Sequence, residues 1–249
     1  MLKRERHQYI MDKFQETEKI NTIDLAIELH ISEDTIRRDF NELHNKGLIN
    51  KVYGGAFLVK CNSKNVFDIA IINEEKKIVV GQKALPFLKE GQVIIMSGGT
   101  TNLSFCKLIP IDFSATIYTY SLPIAMQLSQ HPNIELIFIG GKLQKNAMVT
   151  IGIDVVHVLS KIKADICFLG VSSIDENQGL TEMGYEVSVV KKEMIRVSEK
   201  VIAMATSDKI NGKMMHKVCG LEQLHAVITD LNPKSPKVKN FVEAGVTVL

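Results

Sequence analysis

The sequence predicts an α/β chain in two parts: a small, all-α winged helix-turn-helix unit at the N-terminus, then a larger unit built on a parallel sheet. Three observations predict this. Short amphipathic helices fill the chain as far as Asn45. After Asn73, near-continuous apolar runs alternate with helical stretches, the pattern of strands covered on both faces. The 249 residues leave room for both units.

The first helix, roughly Leu2 to Glu16, offers Ile10, Met11 and Phe14 to a small core. A second, Thr22 to Leu29, carries Leu25, Ala26 and Leu29 on one side, with Asn21 or Thr22 as its cap. His30-Ile31 is a tight connection, and its Ile31 can plug the angle between two crossed helices. Ser32 caps the third helix, and Glu33 and Asp34 fall in its first turn, where acids suit the helix dipole. Ile36, Phe40 and Leu43 recur at i, i+4 and i+7, so one face is apolar. Arg37, Arg38, Asn41 and Asn45 fall on the other, and such groups bind phosphates and base edges. Lys46-Gly47 stops the helix, and Leu48 to Tyr53 forms a β wing ending at Gly54-Gly55. From Phe57 to about Phe67 the chain reads as a linker, with Lys60, Asn62, Ser63, Lys64 and Asn65 clustered and no apolar period. The expected boundaries are 1–57 for the winged unit, 58–72 for the linker and 73–249 for the larger domain.

Seven strands are expected there: 93–96, 115–119, 134–139, 165–170, 200–205, 225–229 and 246–249. Ligands of such sheets sit beyond the carboxyl ends of the strands. The first strand ends in Ser97-Gly98-Gly99-Thr100-Thr101 and opens into a helix at Asn102. Glycines there let the backbone approach an anion, hydroxyls donate to it, and the helix N-terminus adds a favourable dipole. The other ends read Thr119-Tyr120-Ser121, Gly140-Gly141, Gly170-Val171-Ser172-Ser173 and Thr206-Ser207-Asp208-Lys209. Any one of them is ordinary turn chemistry; their convergence suits a phosphorylated polyol.

Composition narrows the reading. No run approaches the roughly 18 apolar residues of a membrane span, and the charged start, Met1-Leu2-Lys3-Arg4-Glu5, is unlike a signal peptide; a cytoplasmic protein is expected. Cys61, Cys106, Cys167 and Cys219 are far apart, and the histidines lack ligand spacing, so neither disulfide nor metal is expected. Net charge gives no independent sign of nucleic acid: residues 1–60 hold ten Lys or Arg against ten Asp or Glu. What points to DNA is distribution, with Lys3, Arg4 and Arg6 on the first helix, Arg37 and Arg38 on the third, and Lys46 and Lys51 at the wing.

Ser32-Glu33-Asp34-Thr35-Ile36-Arg37-Arg38-Asp39, the Gly47-Leu48 after it and Tyr53-Gly54-Gly55-Ala56 closely resemble the DeoR family of bacterial transcription regulators, with Ile31 and Phe40 in place of the usual Val and Leu. The larger domain is similar to the family's sensor domain through Gly99-Thr100-Thr101, Thr119-Tyr120-Ser121, Gly140-Gly141, Gly179-Leu180-Thr181, Lys209-Ile210 and Ile228-Thr229-Asp230. The resemblance implies a Rossmann-like sensor similar in fold to ribose-phosphate isomerases and glucosamine-phosphate deaminases, with sugar phosphates as effectors and no cofactor. Three positions depart from the family: Ser97 stands for an acid, Tyr120 for an Asn, and Thr206 for the acid of the D-x-S-K-F segment, where Asp208 takes the second Ser.

The expected protein is a DNA-binding regulator, a repressor of a carbohydrate operon that works as a homodimer or homotetramer and binds operator DNA and a sugar phosphate. Thr22, Ser32, Glu33, Thr35, Arg37, Arg38, Asn41, Lys51 and Tyr53 are expected at the DNA. Ser97, Gly98, Gly99, Thr100, Thr101, Thr119, Ser121, Gly140, Gly141 and Lys209 are expected at the effector. The rival reading is an isomerase or deaminase-like enzyme carrying a DNA-binding domain. It needs groups that move protons at the substrate. Its candidates, Glu186, Asp230 and Asp175, fall in no paired arrangement, and Glu186 with Lys191 equally suits a surface ion pair.

Overall fold

The computed structural model describes residues 3–17, 19–45, 49–52, 54–58 and 73–249. The chain divides into two compact units, 1–64 and 65–249.

In the small unit, α1 (Lys3–Glu16), α2 (Thr22–Glu28) and α3 (Glu33–Asn45) pack around Ile10, Phe14, Leu25, Ala26, Ile36, Phe40 and Leu43, all buried. The α2 cap is Asn21, whose side chain accepts from the Ile23 N–H at 2.8 Å. His30 turns the chain between α2 and α3 at φ 51°, and Ile31 packs on the core as expected. Ser32 Oγ accepts from the Thr35 N–H, which makes it the α3 cap.

The strands of this unit are β1 (Lys19–Asn21), β2 (Ile49–Val52) and β3 (Gly55–Leu58), in the antiparallel order β1-β3-β2. The wing is therefore a three-stranded sheet, so the unit is not all-α, and β1 was not foreseen. Gly55 is required where β1 crosses, since a Cβ there would lie 2.3 Å from the Ile20 carbonyl oxygen. Phe57 and Leu58 belong to β3, because Phe57 is paired with both β1 and β2 and Leu58 with β2; a linker beginning at either residue is corrected. Lys46, Gly47, Leu48, Tyr53 and the rest of the linker lie outside the described residues.

The large unit runs α4 (Glu74–Ala84), β4 (Val93–Met96), α5 (Thr100–Cys106), β5 (Ala115–Thr119), α6 (Leu122–Leu128), β6 (Ile134–Phe138), the hairpin β7 (Lys142–Gln144) and β8 (Val149–Ile151), then α7 (Ile153–Leu159). It continues β9 (Ala164–Gly170), β10 (Ser173–Asp175), β11 (Gly179–Glu182), α8 (Tyr185–Arg196), β12 (Ser198–Met204), β13 (His216–Cys219), β14 (Ala226–Ile228), α9 (Lys239–Glu243) and β15 (Thr247–Val248). The seven expected strands form one sheet, ordered β15-β14-β12-β9-β4-β5-β6, with every pairing parallel. Alternate residues feed two cores: Ile94 and Met96 face the one that takes α4, α5 and α6, while Ile95 faces the one that takes α7, α8 and α9.

The chain winds outward from β4 through β5 to β6, then crosses to β9 and winds the other way. The order reverses between β4 and β9, and ligands of open parallel sheets bind at that switch point. A small sheet, β10-β11-β13, follows the carboxyl end of β9 and was not foreseen. Helix α5 starts at Thr100, two residues before the expected Asn102, because Gly99 at φ 113° caps it and its carbonyl accepts from the Leu103 N–H.

Candidate functional site

In the small unit, the apolar stripe of α3 faces the core and Arg37, Arg38 and Asn41 are exposed. Lys51 of β2 reaches across to donate to Asn41 Oδ1, so wing and helix present one polar face. Arg37 is held by Glu33 at 3.0 Å and Asp34 at 3.5 Å; among the described residues Arg38 forms no ion pair. Ser32 and Thr35 join their hydroxyls at the helix start. Thr22 does not reach this face: it is buried, with its N–H on the Gly54 carbonyl. Asn45's side chain and Tyr53 lie outside the described residues.

Asp39 was passed over in the sequence. It lies among the apolar positions of α3, 2% exposed, and accepts from Arg6 at 2.8 and 3.0 Å and from the His7 ring at 3.1 Å. That hydrogen-bonded carboxylate holds the Arg6 guanidinium above its usual pKa. Lys3 pairs with Glu42. Two of the three cations credited to the first helix therefore bind it to α3. The signal was a lone acid on an otherwise apolar stripe.

In the large unit, the expected effector residues lie along the carboxyl edge of the sheet, and they divide by what their side chains are doing. Gly99 is exposed with open space above it, and Thr100 and Thr101 are half-buried at the start of α5. Gly140 and Gly141 are exposed after β6. Ser97 and Thr119 are fully buried and engaged in stitching strand ends. Ser97 Oγ donates to the Gly98 carbonyl and accepts from the Gly170 N–H at 2.9 Å. Thr119 Oγ1 donates to the Met96 carbonyl at 2.8 Å and accepts from the Ser121 N–H. Gly98 and Ser121 are buried under Val149 of β8. Lys209 pairs with Asp208 at 3.2 Å, at the end of β12. Burial pushes the Asp208 carboxyl up, but the Thr206 hydroxyl and Lys209 outweigh it and hold the group below its usual pKa.

Asn102, expected only as a helix start, is a clamp at the switch point: its amide donates to the Ser97 and Phe168 carbonyls, joining the ends of β4 and β9. At the Gly170 end of β9, Lys191 pairs with Glu182 in the interior. Glu186 instead meets Lys142 at the surface, 3.6 Å away, which corrects the pairing entertained for Glu186 and Lys191. Asp175 caps its own turn through the Asn177 and Gln178 N–H groups, and Asp230 accepts from the Ser207 N–H. The three carboxylates named for catalysis each have a structural partner.

Among the described residues no helix is long and apolar enough to cross a membrane, no group of three metal-binding side chains gathers, and Cys106, Cys167 and Cys219 are buried free thiols.

Comparison with known proteins places both units. Residues 6–61 match the DeoR-like helix-turn-helix domain, and residues 72–231 match the DeoR C-terminal sensor domain. The chain is 30% identical to the HTH-type transcriptional repressor GlcR of Bacillus subtilis over 253 aligned positions, covering 100% of this chain and 96% of that protein. It is 26% identical to the glycerol-3-phosphate regulon repressor of Escherichia coli, over 94% of this chain and 93% of that one. Among solved structures, ribose 5-phosphate isomerase A of Methanocaldococcus jannaschii aligns over 55% of each chain at 19% identity and a TM-score of 0.42, a likeness that says nothing of activity. With both domain types matched in sequence along most of its length, the chain belongs to the DeoR family of transcription regulators.

Proposed function

We propose that this regulator binds double-stranded operator DNA through α3 and the wing, and that a sugar phosphate on the sheet's carboxyl edge controls that binding. The observation that carries the DNA half is the single exposed face shared by Arg37, Arg38, Asn41 and Lys51. Ser32, Glu33 and Thr35 support its first turn. A recognition helix and one wing read one half-site, so the working unit is a homodimer or homotetramer. It acts in the cytoplasm as a repressor of a carbohydrate-utilisation operon and catalyses no reaction.

The phosphate sits on Gly99-Thr100-Thr101, which opens α5 beside the switch point and offers it two hydroxyls and backbone N–H groups. Each charge-assisted hydrogen bond there contributes about 1.5–3 kcal/mol. Gly140, Gly141 and Lys209 line the neighbouring strand ends, while Ser97, Thr119 and Gly98 hold the edge in shape. The ligand must bind the DNA-competent and incompetent arrangements unequally, since equal affinity shifts nothing.

Replacing Thr100 and Thr101 by Val tests the effector half. Operator binding should persist and its release by sugar phosphate should be lost; release at wild-type ligand concentrations would place the phosphate elsewhere.

A further inference from the structure

At the carboxyl end of β9 the Glu182 and Lys191 side chains are only 10% and 5% exposed and directly paired. Lys191 Nζ also donates to the Gly170 carbonyl at 2.8 Å. Glu182 accepts from the Met183 N–H at 2.9 Å, and Ser172 Oγ lies 2.8 and 2.7 Å from its two oxygens. Gly170 presses so closely on the phosphate turn that a Cβ there would lie 2.3 Å from the Gly98 carbonyl oxygen. Lys191 is thus bonded to the residue of β9 that packs against Gly98, next to Gly99 across the β4–β9 switch point.

We propose that Glu182, Lys191 and Ser172 form the selectivity end of the effector site, reading the carbonyl and hydroxyl groups of a pentose or hexose phosphate whose phosphate occupies Gly99-Thr100-Thr101. The proposal rests on the phosphate assignment above and adds what distinguishes one sugar phosphate from another. Stability alone does not account for the pair, because two charges leave water there and an apolar pair of similar volume is often at least as stable. Exposure grades outward from Lys191 and Glu182 to the half-buried Ser172. Ser172 is therefore the member a ligand hydroxyl displaces as donor to Glu182, while a sugar carbonyl or hydroxyl oxygen accepts from Lys191. Burial pushes the Glu182 carboxyl up, but Lys191, Ser172 and the Met183 N–H outweigh it, so it stays an ionised acceptor. Glycerol 3-phosphate carries no carbonyl and fewer hydroxyls for the pair to read.

The test uses the full chain, calorimetry, and five probes: inorganic phosphate, glycerol 3-phosphate, ribose 5-phosphate, glucose 6-phosphate and 1,5-anhydroglucitol 6-phosphate, which lacks the hydroxyl at carbon 1. Wild type should bind ribose 5-phosphate or glucose 6-phosphate at least about tenfold more tightly than the two truncated phosphates, the size of a lost hydrogen bond to a charged group. The double variant Glu182→Met, Lys191→Met should keep wild-type affinity for inorganic phosphate and lose that discrimination. Ser172→Ala removes the donor that a ligand hydroxyl must displace, so it should tighten binding of the sugar phosphates relative to inorganic phosphate, and it answers the question should the double variant not fold. Discrimination undiminished in the folded double variant, or unchanged in Ser172→Ala, overturns the proposal, as does wild-type binding that ignores the sugar's hydroxyls. A wild type that binds no phosphate probe at all overturns the phosphate assignment itself, a result distinguishable from the others.

Discussion

Asp39 and Arg38 are neighbours in sequence with opposite tasks. Asp39 is buried against Arg6 and His7, so Asp39→Ala removes the carboxylate to which both donate. Removing one member of a buried pair costs about 3 kcal/mol or more, and chemical denaturation should show that loss in the small unit's transition. Arg38 carries no such duty. Arg38→Ala should leave stability unchanged and weaken operator binding by about 1–3 kcal/mol, measured by fluorescence anisotropy at one fixed salt concentration. Arg37→Ala also gives up contacts to Glu33 and Asp34, but surface pairs of this kind contribute only about 0–1 kcal/mol, so its stability should hardly move. Glu182 sets a pH dependence of defined sign. Its folded pKa is depressed, so its stabilisation is whole above the unfolded glutamate value of about 4.3 and fades as pH falls through the lower folded value. A thermal melt series from pH 6 downward should show the large unit losing stability there, and the Glu182→Met, Lys191→Met protein should lose less. At this scale the outward residues of α3 were legible because helical period sorts them; Asp39 and the Glu182–Lys191 pair were not, since each is defined by a partner brought by folding.

Long apolar runs made the seven strands of the main sheet readable, and caps and period made α1 to α3 readable. The elements that escaped are short. Lys142–Gln144 is a three-residue strand with two exposed positions, too brief for any period to show, and Lys19–Asn21 is recognisable only by its ladder to β3. Strand ends were located well but read too uniformly: a hydroxyl at a strand end signals both ligand binding and edge stitching, and Ser97 and Thr119 prove to do the second. Close packing at that edge yields an element-scale prediction. Gly170→Ala puts a methyl 2.3 Å from the Gly98 carbonyl oxygen, so β4 and β9 must part. Overpacking of this kind costs about 1–3 kcal/mol, and calorimetric melting should show it together with weakened phosphate binding.

At the scale of the whole molecule, the described buried apolar residues form one core within the small unit and two within the large one. Two unfolding transitions are expected, with Asp39→Ala moving one and Gly170→Ala the other; a single transition shifted by both would refute this independence. The two-unit plan was legible from the change of apolar pattern, whereas the switch point between β4 and β9 was not, because strand order is a long-range pairing that no local pattern records. That order also bears on how the protein is made. The ribosome delivers β4 early, yet Asp165, which receives the Val93 N–H at the start of β9, is 72 residues further along. At about 5–20 residues per second, one flank of β4 waits about 4–14 s for its neighbour, an apolar edge open to other nascent chains. Slower translation lengthens that exposure, so it should lower how much of this regulator a cell recovers in usable form.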